Sequence, residues 1–417
     1  MRLLKWLYRL RRSERGNVLI VGAASMPLLI GSAALAVDTI QLSLWKRQLQ
    51  RAADSGAIAG AYAVGQGIDE LDEPVDRDLE KNDHPGLSGV AVATGSYGAK
   101  TLSNDDCDTR GITPCFDRAV QVSLTAQRTL PFISIFTNSA SHFNAKATAA
   151  LVDEGEYCVV SLYQGTSAGI VANGNANVKL GCGMITNARS DSSVTAGGSS
   201  QIEASPIAAV GDIDGESQNF VGDTVLKPHT VPQADPLAHI PDPPPQTGCN
   251  KQVGAIMGPG CYASMDIKGP VTLEPGVYYI NGGDLTINAQ ARITGENVTI
   301  VMTGPNGDAG DIQINGGAEI DLTAPTSGDY KGVVLYRDRR ADVIDVKFNG
   351  GAGFDFTGAI YMPTTNLEML GNFALNAQCL QLVGRILTFK GTAEIENNCP
   401  PASGASAFRT SVVRLVG

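Results

Sequence analysis

The stretch INGGAEIDLTA, Ile314–Ala324, carries the pattern that decides the fold of most of this chain. Ile320 and Leu322 face one side of a strand, while Glu319 and Asp321 face the other. Its first seven residues form a unit, in which apolar ends enclose glycine and small residues, and this unit recurs along the chain. The other copies are ANGNANV from Ala172, AGGSSQI from Ala196, INAQARI from Ile287, FNGGAGF from Phe348, MLGNFAL from Met369 and FKGTAEI from Phe389.

The spacing of these units favours a stacked, parallel architecture. Consecutive copies start 24, 91, 27, 34, 21 and 20 residues apart, and one coil of a parallel β-helix needs about 20–30 residues. The interval of 91 contains the proline-rich excursion 227–248, which is unsuited to a central strand. We therefore predict a right-handed parallel β-helix-like body over residues 153–417, in a mainly β protein. An antiparallel sandwich is the alternative, and the recurring gap argues against it.

The N-terminal region contains a long uncharged run, in the segment RGNVLIVGAASMPLLIGSAALAVD. No charge occurs over residues 16–37, and a helix of this length reaches about 33 Å, enough to cross a bilayer core. A signal-peptide apolar region is typically only about 7–15 residues long. We predict a transmembrane helix over residues 17–37 after a basic tail, 1–16. The cleavage-site-like sequence Ala34–Ala36 keeps signal cleavage as an alternative.

Charge and cysteines place the body outside the cytoplasm. Six basic residues precede the apolar run, and the positive-inside bias then predicts a single-pass protein with a cytoplasmic N-terminus and an extracytoplasmic body. The eight cysteines all follow residue 106, which fits an oxidising compartment. The simplest pairing is sequential, with buried free thiols as the alternative: Cys107–Cys115, Cys158–Cys182, Cys249–Cys261 and Cys379–Cys399.

The helix is predicted to continue beyond the membrane, over Asp38–Val64, into a small α+β pilin-like neck that spans 38–152. Apolar and small residues recur along it at steps of three or four. This stripe packs either on the chain's own next domain, the favoured interpretation, or against a partner helix. Its members are Leu42, Trp45, Leu49, Ala52, Gly56 and Ala59.

Two further segments complete the predicted neck. The acidic residues 66–88 are typical of a solvated connector. The segment AVQVSLTAQRTLPFISIF, which starts at Ala119, has the pattern of a strand.

The segments RRSERGNVLIVGAASMPLLIGSAALAVD and RQLQRAADSGAIAGAYAV resemble the N-terminal region of TadG-like proteins in the TadE/TadG family. The resemblance covers about the first 65 residues. It implies an accessory component of the Tad system, which assembles Flp-type (type IVb) pili, with Tad/Flp assembly proteins as partners and surface adherence as a further role. Related pilins carry a glutamate where this chain has Val21, which argues against a shaft subunit. The Asp-x-Ser-x-Ser metal motif of many TadG-like proteins is absent.

Few residues suggest a catalytic or metal-binding site. Asp212, Asp214 and Glu216 offer oxygen ligands for Ca²⁺ but lack EF-hand spacing, so they are weak candidates and no cofactor or metal is predicted. The charged segment 337–347 is the best candidate for a catalytic cluster, although a solvated loop has the same composition.

These observations favour an interaction protein over an enzyme. The formal net charge is −11, and since residues 1–37 carry +5 the remainder carries −16, which argues against nucleic acid as a partner. Surface glycans or abiotic surfaces are candidate ligands of the body. The alternatives are a membrane-tethered β-helical carbohydrate-active enzyme and an adhesin with no connection to pili.

Overall fold

The computed structural model describes residues 17–135, 140–349, 351, 353–371, 374–377, 379–391, 394–397 and 408–417. It is mainly β, with one long apolar helix near the N-terminus and a β-solenoid body of about ten turns, so the predicted fold class is confirmed. The chain divides into two compact units. Unit 1 comprises 1–152 together with 413–417, and unit 2 comprises 153–412.

Unit 1 is built on helix α1, Asn17–Gly65, which includes Pro27. Helix α2, Asp72–Lys81, follows, and α3, Cys107–Arg110, is a single turn. The prediction of a solvated connector is therefore wrong for α2. Its apolar residues Val75 and Leu79 lie four positions apart and are buried, because that spacing places both on one face of the helix.

The sheet of unit 1 is an antiparallel arrangement in which β3 lies between β1 and β4. Its buried face packs against α1 and α2 in one apolar core. The strand predicted through Pro131 is shorter, because β3 ends at Arg128 and the backbone then forms a 3-10 turn, Ile133–Ile135. The strands are β1 (Leu87–Gly98), β2 (Thr101–Ser103), β3 (Cys115–Arg128), β4 (Ser141–Ser161), whose end enters unit 2, and β29 (Phe408–Leu415), which also pairs with β4.

Unit 2 is a solenoid of short parallel strands. In chain order they are β5 (Ile170–Gly174), β6 (Asn177–Leu180), β7 (Gly183–Thr186), β8 (Val194–Ala196), β9 (Gln201–Glu203), β10 (Ile207–Ala209), β11 (Ile213–Gly215), β12 (Leu226–Lys227), β13 (Ile256–Met257), β14 (Gly260–Tyr262), β15 (Met265–Ile267), β16 (Pro270–Leu273), β17 (Gly276–Asn281), β18 (Leu285–Ile287), β19 (Arg292–Gly295), β20 (Val298–Thr303), β21 (Ile312–Ile314), β22 (Glu319–Thr323), β23 (Val333–Arg337), β24 (Ile344–Phe348), β25 (Gly353–Leu370), β26 (Ala374–Ala377), β27 (Cys379–Gly391) and β28 (Glu394–Asn397).

The recurring seven-residue unit occupies the same place in each coil that contains it. Its first residue lies in one strand, and its last residue lies in the strand that follows. The first residues of successive units stack in register and are buried: Ile287, Ile314, Phe348, Met369, Phe389, Ala172 and Ala196. One aliphatic and aromatic column therefore runs through the core, as the alternation in the sequence requires.

The order of coils in space differs from their order in the sequence. The strands of the segment 256–397 stack upward from β13–β15 to β27 and β28. The coil that follows them in space is the first one in the chain, because Phe389 pairs with Ala172 and Ile395 pairs with Val178. The first coil in the sequence therefore lies in the middle of the stack. The coils that follow it extend to one end of the stack, at β12. The next strand in the sequence, β13, lies at the opposite end.

The proline-rich excursion connects these two ends. We call residues 230–251 the strap. It begins beside β10, where the Thr230 amide donates to the carbonyl oxygen of Ala209 at 2.9 Å. It ends at the opposite end of the stack, where Cys249 forms a disulfide with Cys261 of β14. The strap therefore crosses the coils on their outside, which explains why its prolines are tolerated: it contributes no ladder hydrogen bonds.

Candidate functional site

The N-terminal part of α1 is an apolar surface without protein cover in the described residues. The helix from Val21 onward is long and apolar enough to cross a membrane, and its most apolar stretch is almost entirely exposed in the described residues. Leu28 and Leu29 are exposed, and so is Leu35. An exposed apolar helix of this length is unfavourable in water, whereas a bilayer core satisfies it. The helix fits a membrane-anchored protein.

After Asp38 the helix packs on the sheet of unit 1, and the stripe of apolar and small residues faces the chain's own core. Leu49 and Ala52 are fully buried, and Leu42 and Trp45 pack against the same core. The Trp45 ring stacks on Phe143, with centroids 6.1 Å apart.

The small residues of the stripe let the helix approach the sheet. The Gly56 position lies in ordinary contact distance of Val75 and Val122, and Ala59 is half-buried. The packing matches the favoured interpretation of the stripe, in which it covers the chain's own sheet.

A different side of α1 is exposed. Ile40, Leu44, Arg47 and Arg51 are spaced by four, three and four residues, which places them along one line of the helix, and all four are exposed. We call these four residues the free face. An open groove of about 640 Å³ borders it and is lined by Leu44, Arg47 and Arg51 together with Gln41, Trp45, Gln48 and Gln50.

A second groove, also about 640 Å³, lies between α1 and the start of β4. Lys46 and Arg47 contribute cationic groups to it, and His142 and Asn144 contribute polar groups from β4. Both grooves lie just beyond the apolar part of the helix. Both grooves combine apolar side chains with cationic groups of Lys46, Arg47 and Arg51.

Asp38 binds a loop of unit 1 at the point where the apolar part of the helix ends. Its side chain is almost fully buried, and its two carboxylate oxygens accept hydrogen bonds from the backbone amides of Phe132 at 3.1 Å and Ile133 at 2.7 Å. We call residues 130–135 the apolar loop, because Phe132, Ile133 and Ile135 are exposed there. The sequence contained one signal for this contact, an acidic residue directly after an uncharged run, but no local pattern identifies its partner.

The predicted disulfides lie in both units. Cys107 pairs with Cys115 at a Cα–Cα distance of 5.5 Å, Cys158 pairs with Cys182 at 5.9 Å, and Cys249 pairs with Cys261 at 4.4 Å. Cys399, and hence the predicted pair Cys379–Cys399, lies outside the described residues.

The weak calcium candidates do not form a ligand cluster in the described part of the chain. Asp212, Asp214 and Glu216 are exposed. One Asp212 oxygen accepts the amide of Ile213, and Glu216 accepts a side-chain hydrogen bond from Gln218 at 2.8 Å. Among the described residues, ligand atoms converge only at Cys107, Cys115 and Asp117, where the two sulfurs form the disulfide.

The charged segment 337–347 is divided between the interior and the surface. Arg337 and Asp338 are fully buried, whereas Asp342 and Asp345 are exposed. Arg337 donates to the carbonyl oxygens of Ala309 and Asp342 and to the Thr364 hydroxyl. Its partners are structural groups of neighbouring coils, so the segment does not present its acids and bases together on one groove.

Asp338 is held by Arg340 and Thr303. Arg340 donates from Nε and from its terminal amino group at 2.9 and 2.7 Å, and the Thr303 hydroxyl donates at 2.8 Å. Burial alone would raise the pKa of Asp338, but these hydrogen bonds outweigh it and hold the pKa below its usual range.

Arg339 attaches the strap to the solenoid. Its guanidinium donates to the carbonyl oxygens of Leu237, Ala238 and Ile240 at 3.0–3.2 Å and lies 5.6 Å from the centre of the Tyr361 ring. The Tyr361 hydroxyl donates to Asp235 at 2.6 Å. Burial raises the pKa of Tyr361, and the Asp235 carboxylate raises it further. The charged segment thus serves to hold the strap in place.

The N-terminal helix matches a known protein family. Residues 16–63 match the protein family described as "Putative Flp pilus-assembly TadE/G-like". The N-terminal region is TadE/G-like. The TadE/G-like region begins at the apolar segment and ends with the part of α1 that packs on the sheet of unit 1, and the recognition made from the sequence is confirmed.

The family match concerns the N-terminal region alone. No curated protein and no solved structure matches the chain significantly. The TadE/G-like region supports a role related to Flp/Tad pili, implies involvement with their machinery, and suggests a component that is not an enzyme.

Proposed function

We propose that this protein is a membrane-anchored accessory component of Flp/Tad (type IVb) pilus assembly and surface adherence, and that it acts by protein interaction. The observation that carries the proposal is the TadE/G-like match over residues 16–63, which coincides with an apolar helix that continues into a folded unit. The solenoid then provides a surface for contact with glycans or abiotic material.

The proposed topology is a single pass through the bacterial inner membrane. Residues 1–16 form the cytoplasmic tail, 17–37 the span, and the rest lies outside the cytoplasm. The basic tail supports this orientation, because positive charge accumulates on the cytoplasmic side. The three disulfides also support it, since such bonds persist in oxidising compartments.

The proposed contact with assembly proteins uses the free face. Leu42, Trp45, Leu49 and their neighbours in the stripe are occupied by the core of unit 1. Ile40 and Leu44 are exposed apolar residues, and Arg47 and Arg51 continue the same line with charge. Apolar anchors next to arginines are typical of interaction surfaces.

Photo-crosslinking in cells tests this proposal. A photoreactive residue at Leu44 should capture a Tad/Flp assembly protein, whereas the same residue at Ile68, which is exposed elsewhere in unit 1, should not. Capture at both positions, or at neither, would argue against a specific free-face contact.

A genetic test addresses the function itself. Deletion of the gene should reduce piliation and surface attachment, and the intact gene should restore both. The double substitution Leu44→Ser with Arg47→Ser should fail to restore them at normal protein level, whereas Ile68→Ser should succeed. Unchanged piliation and attachment in the deletion strain would refute the assignment.

A further inference from the structure

The apolar loop projects from unit 1 at the end nearest the proposed span. Strand β3 and helix α1 run in opposite directions, as three successive contacts show. The Gly60 position approaches Val120, and the Gly56 position approaches Val122. Farther along both elements, Asp38 binds the amides of Phe132 and Ile133. Residues that follow Val120 in the sequence therefore lie beside progressively earlier residues of the helix, toward its apolar N-terminal part.

The surface chemistry of the loop is unusual for an aqueous environment. Ile135 is 71% exposed, and Phe132 and Ile133 are each 37% exposed. Leu35 and Val37, which directly precede the loop-binding residue Asp38 on the helix, are also exposed. Apolar residues of this kind are stabilised when they enter the boundary between headgroups and acyl chains.

Asp38 makes this arrangement rigid. Each carboxylate oxygen accepts one backbone amide, so the carboxylate is satisfied although it is buried at the edge of the apolar segment. The two bonds also satisfy amides at the start of the 3-10 turn, Ile133–Ile135. Without Asp38 the loop would lose both of these hydrogen bonds to the helix.

The groups that follow along the helix match the next layer of a membrane. Lys46 and Arg47 lie eight and nine residues beyond Asp38, about 12 Å along the axis. The hydrocarbon core is about 30 Å thick and the headgroup layers bring the total to about 40–45 Å. Each headgroup layer is therefore about 5–7 Å thick, so with Asp38 at the core boundary the backbone of these cations lies about 5 Å beyond that layer, and their long side chains can extend back to the headgroups.

We propose that the apolar loop inserts into the outer interfacial zone of the same bilayer that α1 spans, and thereby gives unit 1 a second membrane contact. This inference rests on the proposed anchor role of α1. The occupant is the lipid surface, because the loop continues the exposed apolar surface of the helix at the point where the uncharged segment ends. A second contact would restrict the tilt of unit 1 relative to the membrane.

Depth-dependent fluorescence quenching of the full chain in lipid vesicles tests the inference. The background chain carries Trp6→Phe and Trp45→Phe, so that one introduced tryptophan reports alone, and Phe at position 45 can still contact Phe143. The test variant is Ile135→Trp. Leu29→Trp reports the span, and Ile68→Trp is the matched control, three residues beyond Gly65, which lies about 40 Å from Asp38 by helix rise. Vesicles contain phosphatidylcholine brominated at defined acyl positions.

The expected result is strong quenching of Leu29→Trp, quenching of Ile135→Trp by bromine at shallow acyl positions, and no quenching of Ile68→Trp. Adding Asp38→Ala to Ile135→Trp should reduce the shallow quenching, while Leu29→Trp with Asp38→Ala should stay quenched.

Three results would overturn the inference in distinguishable ways. Quenched Leu29→Trp with unquenched Ile135→Trp refutes the loop insertion and leaves the anchor intact. Unquenched Leu29→Trp refutes the anchor and the inference with it. Shielding of Ile135→Trp from acrylamide that increases with protein concentration in lipid-free detergent shows that a second copy covers the loop instead.

Discussion

Asp338 shows how a single charged residue can be structural although its sequence context suggests chemistry. Its neighbours Arg337, Arg339 and Arg340 give the segment the composition of a catalytic cluster. In the structure Asp338 is fully buried and binds Arg340 and Thr303. Composition alone could not distinguish a catalytic cluster from a structural one, because the partners of each side chain depend on the coils above and below it.

Asp338→Asn should lower the free energy of unfolding of the solenoid by about 2 kcal/mol, since a charge-assisted interaction is lost while the volume is kept. Urea unfolding followed by tyrosine emission measures this, because residues 153–412 contain no tryptophan. Glu319→Gln, which removes a carboxylate from an exposed ion pair with Arg292, is the control and should change the free energy by less than about 1 kcal/mol.

The pH dependence follows from the lowered pKa of Asp338. The stabilisation from this residue should be fully present above its unfolded pKa of about 3.8 and should be lost as pH falls through the lower folded pKa. The difference in unfolding free energy between the native chain and Asp338→Asn should therefore shrink below about pH 4. A difference that stays constant down to pH 2 would contradict the proposed role of the charge.

At the scale of elements, the periodic parts of the sequence predicted the strands and the long helix, whereas the irregular segments did not reveal the elements that they form. The seven-residue unit identified the corner between two consecutive strands of a coil, because a corner of fixed geometry requires small residues at fixed positions. The acidic segment was interpreted as a connector, yet it contains α2, since Val75 and Leu79 were too few to reveal a helical face in the sequence alone. The strand predicted beyond Arg128 ended earlier, where Pro131 stops the ladder.

Two glycines of α1 provide a matched test of helix–sheet packing. A Cβ at Gly60 would lie 2.8 Å from a Val120 methyl carbon, whereas a Cβ at Gly56 would meet its neighbours at 3.4–3.6 Å. Gly60→Ala should destabilise unit 1 by about 1 kcal/mol, because an overpacking cost of about 1–3 kcal/mol exceeds the gain in helix propensity. Gly56→Ala should be neutral or stabilising by up to about 1 kcal/mol.

Trp45 emission in a Trp6→Phe background measures both variants, because Trp45 stacks on Phe143 within unit 1. Equal stability of the two variants would show that the helix can move away from the sheet at Gly60 without loss.

At the scale of the whole molecule, the proposed single pass predicts a defined protease pattern. Protease added to spheroplasts should cleave the chain beyond Asp38, while an epitope fused to the basic tail should remain protected. The same treatment after membrane lysis should also remove the epitope, which is the control for access. Protection of the body in intact spheroplasts would reverse the proposed orientation and contradict the positive-inside interpretation.

The sequence by itself determined the class of the body and the presence of the apolar helix. Both depend on short-range patterns: alternation within a strand, a small-residue corner repeated every coil, and an uncharged run long enough for a bilayer. The TadE/G-like segment was recognisable for the same reason, because its characteristic residues are contiguous. None of these features requires knowledge of which distant residues meet.

Only the tertiary structure decided the order of the coils, the path of the strap and the attachment of the apolar loop. The first coil stacks on the last through Ala172 and Phe389, Arg339 binds carbonyl groups about one hundred residues earlier, and Asp38 binds amides more than ninety residues later. Each contact joins residues that no local period relates. Their pairing follows from burying the apolar core of each unit and from satisfying buried polar groups.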